Sequence, residues 1–182
     1  MIPEKFESER LSIRAPRVRY AAEVTAAVGE SLEELRPWMP WAKEMPTVGR
    51  YRKTLRNGRR RWLAGRDFWM MLFLKGTDTL IGGSGLHRID WDVPKVEIGY
   101  WVRTPYTGRG YITETVNALT EFAIRYFGVR RIEIRMDDRN EPSRRVAERC
   151  GYELEGILRN DRRAVDGSLG DTRVYAKVIR DE

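Results

Sequence analysis

The chain has 182 residues, 41% hydrophobic and 34% charged, with 34 Lys and Arg against 27 Asp and Glu and a net charge of +7. This length and balance suit one globular domain, residues 1–182, able to bury a core without staples. No apolar run reaches the roughly 18 residues of a membrane span, and the opening MIPEKFESER lacks the apolar stretch of a signal peptide. One cysteine (Cys150) and one histidine (His87) leave no internal disulfide and too few ligands for an ordinary zinc site. A cytoplasmic protein without a metal is expected. A Ser-His-Asp or Cys-His hydrolase is disfavoured too, unless His87 is its base.

Glu9 to Arg14 alternates polar and apolar residues and predicts a strand. A helix is expected from about Val18 to Leu35, broken near Gly29. Pro37 and Pro40 then keep Trp38 and Trp41 in a loop, where the indoles either seal the core edge or line a pocket. Thr47 can cap a helix with Val48, Tyr51, Leu55 and Trp62 on one face. Strands are expected at Phe68 to Lys75 and Thr79 to Ile89 about a turn at Gly76–Asp78, and at Lys95 to Arg103. A long helix from about Gly108 to Phe127 would bury Ile112, Val116, Leu119, Ala123 and Tyr126. Arg131 to Met136 alternates as a strand. Asn140 or Ser143 opens a helix ended by Gly151. Strands at Tyr152–Asn160 and Thr172–Ile179 close the chain about a turn at Asp166-Gly167.

The densest chemistry lies where Glu97-Ile98-Gly99-Tyr100-Trp101-Val102 runs into Gly108-Arg109-Gly110-Tyr111-Ile112-Thr113. A helix start leaves N–H groups unpaired and partly positive, and glycines let an anion approach them, so strand, Gly-x-Gly and helix can cradle phosphate. Such glycines also serve as plain turn residues. No third glycine makes this a dinucleotide fingerprint, and no Lys-Ser/Thr makes it a Walker loop.

Taken with Asn140-Glu141-Pro142-Ser143 and Gly151-Tyr152-Glu153-Leu154-Glu155-Gly156, these segments resemble the GNAT superfamily of acetyl-CoA-dependent N-acetyltransferases. The chain is most similar to the RimJ/RimL branch, which acetylates protein N-termini, including those of ribosomal proteins. The resemblance extends to Glu9-Arg10-Leu11, the Pro37–Trp41 loop, Gly82 and the Asp171–Tyr175 strand. One departure is Pro105, three residues before the first glycine, where the family usually has Gln or Arg. The resemblance implies an α/β (α+β) fold with a mixed, mostly antiparallel sheet flanked by helices. Its fourth and fifth strands would splay around acetyl-CoA. The pyrophosphate would lie on Gly108, Arg109, Gly110 and Tyr111, with Thr113 nearby. Pantetheine would pair with the backbone of Tyr100, Trp101 and Val102. Asn140 would meet the pantetheine and Ser143 the thioester sulfur.

Acetyl transfer needs a neutral amine, a polarised carbonyl and a proton for the leaving thiolate. Glu97 is the candidate base, directly or through one water; a surface carboxylate paired with arginine is the plain alternative. A backbone N–H near Tyr100 to Val102 would stabilise the oxyanion. Ser143 would serve the thiolate, or simply cap its helix. His87 is either the alternative base or, with Trp38 and Trp41, part of the acceptor wall. Cys150 reads as a buried side chain. The acceptor expected is a protein N-terminal α-amine, whose reference pKa of about 7.7–8.0 lies well below the lysine value of about 10.4. The alternatives are a small amine such as a polyamine, amino sugar or antibiotic, a basic RNA- or ribosome-binding module without chemistry, and an acetyl-CoA sensor. From Arg50 to Arg66 eight basic residues and no acidic one form a stripe. It reads as a solvated helix face or a ribosome or nucleic-acid contact. A homodimer is expected because this branch often pairs.

Overall fold

The computed structural model describes residues 2–180. Its strands are β1 (Lys5–Glu7), β2 (Leu11–Arg14), β3 (Phe68–Leu74), β4 (Leu80–Asp90), β5 (Lys95–Val102), β6 (Arg131–Asp137), β7 (Glu153–Arg163) and β8 (Leu169–Val178). The helices are α1 (Ala21–Glu30), α2 (Leu32–Leu35), α3 (Val48–Leu63), α4 (Tyr111–Phe127) and α5 (Glu141–Arg149). The strands form one sheet in the order β1-β2-β3-β4-β5-β6-β8-β7. Every neighbouring pair is antiparallel except β5 and β6. Those two are joined through α4, since parallel strands need a crossover.

Two apolar clusters hold the sheet. One packs Leu72, Leu86, Ile98, Ile132 and Ile134 against Val116, Leu119 and Ala123 of α4 and Ala147 of α5. The other packs Val24, Val28, Leu32 and Leu55 against Met71, Phe73 and Trp101. Along β5 the alternation is strict, so Val96 and Ile98 face α4 while Glu97, Gly99 and Trp101 face the α1–α3 side.

Several boundaries differ from expectation. The first strand is a hairpin, because Lys5–Glu7 pairs with Leu11–Arg14. The first helix breaks at Ser31, not Gly29, where the buried Ser31 Oγ accepts from Thr104 N at 2.9 Å. On α4, Tyr126 is 40% exposed while Phe122 is buried. Phe6 of β1 stacks on Phe122 at 4.5 Å, and Phe68 packs on Phe127 at 4.6 Å, which turns the apolar end of the helix away from Tyr126. The turn at Asp166-Gly167 is present, with Asp166 Oδ1 accepting from Ser168 N at 2.9 Å.

Candidate active site

The site begins where β5 and β6 part. Their pairing covers only Lys95–Glu97 against Arg131–Glu133. Beyond it β5 stays with β4 as far as Val102, and β6 stays with β8 as far as Asp137. These are the fourth and fifth strands of the expected count, shifted by the extra β1. Arg103 N donates to Ile81 O at 2.8 Å. By antiparallel alternation Trp101 and Gly99 therefore turn their backbone groups to β4, while Val102 and Tyr100 turn theirs into the gap.

The gap opens onto a cleft of about 1420 Å³. At one end is the glycine loop. Gly108 and Gly110 have φ of +71° and +78°, a region that side chains other than Asn and Asp rarely adopt. Gly110 precedes α4 and no side chain caps it. The first N–H groups of α4 are thus open, beside the cleft-lining Gly108, Gly110, Tyr111 and Thr113. Arg109 is not among the residues lining the cleft. Its guanidinium lies 5.6 Å from the Tyr106 ring, and its carbonyl accepts from Arg10 Nη1 at 3.0 Å.

Across the gap, α5 presents Asn140 and Ser143. Asn140 is the cap, its Oδ1 accepting from Ser143 N at 3.2 Å. Ser143 Oγ is 2.8 Å from the Tyr100 hydroxyl, which also donates to Ser143 O at 3.2 Å. Tyr100 thus bridges β5 to the start of α5, and burial pushes its phenol upward from the usual tyrosine range. Nearby Cys150 is buried with Sγ 3.5 Å from Thr113 O, and burial raises its thiol to about 11. A thiol so raised is a poor nucleophile.

The α1–α3 side of the cleft carries the other expected residues. Glu97 Oε2 makes no hydrogen bond among the described residues and stands 3.4 Å from Arg88 Nε as an ion pair. Burial pushes the Glu97 carboxyl above the usual carboxylate range, and Arg88, Arg135 and His87 pull it partway back. Arg88 sits at φ +46° where the β4–β5 register shifts, a strained position that the sequence did not disclose. His87 lies opposite Glu97, with Nδ1 3.0 Å from Asp67 Oδ2. Trp38 and Trp41 line the cleft, and the Trp41 ring meets the Trp101 ring edge-on at 5.9 Å. Gly83 makes room for that indole, since a Cβ there would lie 2.6 Å from Trp101 Nε1. On the β6 side, the buried Asp137 is gripped by Arg139 and Arg162.

The cleft therefore joins Glu97, Tyr100, Gly108, Gly110, Asn140 and Ser143. Asp67 and Arg88 are additions to the expected set. Among the described residues no group of three or more His, Cys, Asp or Glu stands together that could hold a metal, and no helix is long and apolar enough to cross a membrane.

The splayed parallel pair beside a glycine-led helix start is the arrangement that the resemblance implied. The family described as Acetyltransferase (GNAT) domain matches residues 10–153. The chain belongs to this family of acetyltransferase enzymes. YdaF of Bacillus subtilis (strain 168), provisionally named a ribosomal N-acetyltransferase, is 29% identical over 96% of this chain and 94% of its own. The ribosomal-protein-serine acetyltransferase of Escherichia coli (strain K12) is 26% identical over 94% of each chain. Among solved structures, RimL, the ribosomal L7/L12 alpha-N-protein acetyltransferase in complex with coenzyme A, superposes with a TM-score of 0.88. It covers 98% of this chain and 97% of its own, and its 22% identity speaks to the fold alone.

Proposed function

We propose that the chain moves the acetyl group of acetyl-CoA to a primary amine, most readily the α-amine of a protein N-terminus, and that residues 1–182 act as one N-acetyltransferase domain. One observation carries this reading. An open helix start behind two left-handed glycines and a half-buried carboxylate, free of hydrogen bonds and faced by Arg88, lie on one cleft, joined by the edge of β5 that β6 leaves unpaired.

Acetyl-CoA suits these donors. The N–H groups of Tyr111, Ile112 and Thr113 and the backbone of Gly108 and Gly110 would hold the pyrophosphate, with Arg109 flanking it. Backbone groups of Tyr100 and Val102 would pair with the pantetheine amides, with Trp101 between them and Asn140 opposite. When bound, acetyl-CoA supplies the activated thioester. Glu97 accepts the ammonium proton, directly or through one water. An N–H of Tyr100 or Val102 faces the charge developing on the carbonyl oxygen. Ser143 Oγ, steadied by Tyr100, hydrogen-bonds the departing sulfur, which leaves as the thiol by taking up the second proton that the nitrogen sheds as the amide forms. Trp38, Trp41 and His87 wall the acceptor. An α-amine needs less help from a weak base than a lysine does, and the names of the two curated relatives point the same way.

The setting follows the same reading: a cytoplasmic homodimer that meets its acceptor at or near the ribosome. Exposed Leu154, Ile157 and Leu158 on the edge strand β7 favour pairing of copies. Exposed Arg52, Lys53, Arg56 and Arg60 on α3, without ionic partners among the described residues, favour an anionic neighbour such as ribosomal RNA.

The test is thiol release from acetyl-CoA with peptides carrying free Ser, Ala, Met or Thr N-termini. Peptide-dependent release is expected, and Glu97→Gln should lower it by about 10²–10³-fold. A variant as active as wild type sinks Glu97 as the base, and release stimulated only by small amines moves the acceptor to that class. Because burial raises the Glu97 pKa, wild-type activity should climb with pH above the ordinary carboxylate range, and Glu97→Gln should lack that limb. The same sign governs stability. A carboxyl whose folded pKa is raised favours the fold while protonated and loses that contribution as pH rises through the folded pKa. Glu97→Gln should therefore melt above wild type at neutral pH while turning over more slowly.

A further inference from the structure

The acceptor wall holds a second polar pair with no part in the chemistry just described. His87 Nδ1 stands 3.0 Å from Asp67 Oδ2, and Arg61 Nη2 of α3 approaches the same oxygen at 3.5 Å. A carboxylate only accepts hydrogen bonds, so a neutral imidazole beside it donates from Nδ1 and keeps a bare lone pair on Nε2.

Two glycines fix where Nε2 lies. A Cβ at Gly85 would stand 2.9 Å from His87 Cε1, and one at Gly99 would stand 3.3 Å from Cδ2 and 3.6 Å from Nε2. Gly85 and Gly99 are directly opposed in the β4–β5 ladder. The ring thus lies across both, with Nδ1 toward Asp67 and Nε2 over Gly99. Gly99 is two residues from Glu97 on the same face of β5, and His87, Glu97 and Gly99 all line the cleft. An imidazole lone pair and a carboxylate therefore converge beside the part of β5 whose backbone turns into the gap.

We infer that Asp67 and His87 form an amine-positioning pair: Nε2 accepts one hydrogen of the acceptor ammonium while Glu97 removes another as a proton. The nitrogen lone pair left by that transfer is then aimed at the gap between β5 and β6, and the N–H held by Nε2 stays on the nitrogen. His87 touches the substrate, and Asp67 is a positioning residue that fixes the tautomer. The inference rests on the amine-acetylating reading above.

With one histidine in the chain, a long-range ¹H–¹⁵N spectrum contains a single imidazole. In mildly alkaline buffer the wild type should show Nδ1 protonated and Nε2 bare, and a free N-terminal Ser peptide added with coenzyme A should shift Nε2. Asp67→Asn offers a carboxamide that can donate to Nδ1 and should move the proton to Nε2. Its kcat/KM for peptide should fall about 10- to 100-fold with the KM for acetyl-CoA unchanged, the size expected for a misplaced reactant. His87→Gln should lose as much. Gly99→Ala crowds the ring without altering its chemistry and should lose less. A protonated Nε2 in the wild type, an Nε2 signal unmoved by saturating peptide, or a folded Asp67→Asn or His87→Gln with wild-type kcat/KM each overturns the pair. A wild type whose thiol release ignores every amine breaks the acceptor reading instead, and the tautomer of the free protein then decides the pair alone.

Discussion

Two helices point their N-termini at the same cleft, and they begin in opposite ways. At α5, Asn140 Oδ1 accepts from Ser143 N, Glu141 complements the dipole and Pro142 has no N–H to satisfy. At α4, Gly110 offers no acceptor. Its nearest acid, Glu114, is drawn aside by Ser8 and Arg10, each within 2.7 Å of a carboxylate oxygen. A glycine cap costs a helix only a few tenths of a kcal/mol against a capping side chain, and it leaves the first N–H groups of α4 open to whatever enters the cleft. The capped start of α5 instead serves to hold Ser143 against Tyr100.

The sharpest way to break this contrast is to charge the bare end. Gly110→Asp adds a carboxylate beside the open helix start, its Cβ 3.5 Å from Arg10 Nη2, and Asn and Asp both tolerate the left-handed backbone there. Like charges set against each other cost several kcal/mol, so acetyl-CoA affinity should fall on the order of 100-fold or more. Gly110→Asn shares the shape without the charge and should lose far less. Titration calorimetry of the two variants separates charge from backbone strain. Equal losses would mean that the glycine matters only as a turn.

That the α4 start would be bare was legible in Gly108-Arg109-Gly110, because glycine is a residue type that brings no side-chain cap. The mixed, mostly antiparallel sheet, the splay of its fourth and fifth strands and the strand that carries Glu97 followed from resemblance and alternation. What escaped were contacts between segments distant in sequence. Phe6 on Phe122 reset the buried face of α4, and Arg10 and Ser8 hold Glu114 of its first turns. The Asp67–His87 pair was within reach. A turn centred near Thr77 sets residues equally far on either side opposite each other, as Phe68 and Leu86 are, and one further step meets Asp67 and His87. Alternation identifies the face of a strand, and only register identifies the neighbour.

The capped start gives a smaller effect. Ser143→Ala removes the hydroxyl beside Tyr100 but leaves that phenol the Ser143 carbonyl at 3.2 Å. Stability should stay within about 1 kcal/mol of wild type. A hydrogen bond to a charged sulfur is worth about 1.5–3 kcal/mol, so kcat should drop about 10- to 100-fold, with KM for acetyl-CoA little changed. An unchanged kcat would leave Ser143 as part of the α5 start and nothing else.

The smallest effect is the most discriminating. Asn140→Ala deletes the α5 cap and should destabilise the protein by about 0.5–2 kcal/mol in a denaturant titration. Asn140→Asp keeps an oxygen for Ser143 N and adds a charge that suits the helix dipole, so its stability should match or exceed wild type. Acetyl-CoA affinity then divides two roles that one side chain combines. If both variants bind more weakly, the carboxamide N–H₂ that Asp lacks is the group that meets the ligand. If only Asn140→Ala binds more weakly, Asn140 acts through Ser143, and the two helix starts differ in kind: one is completed by its own side chain and the other by what enters the cleft.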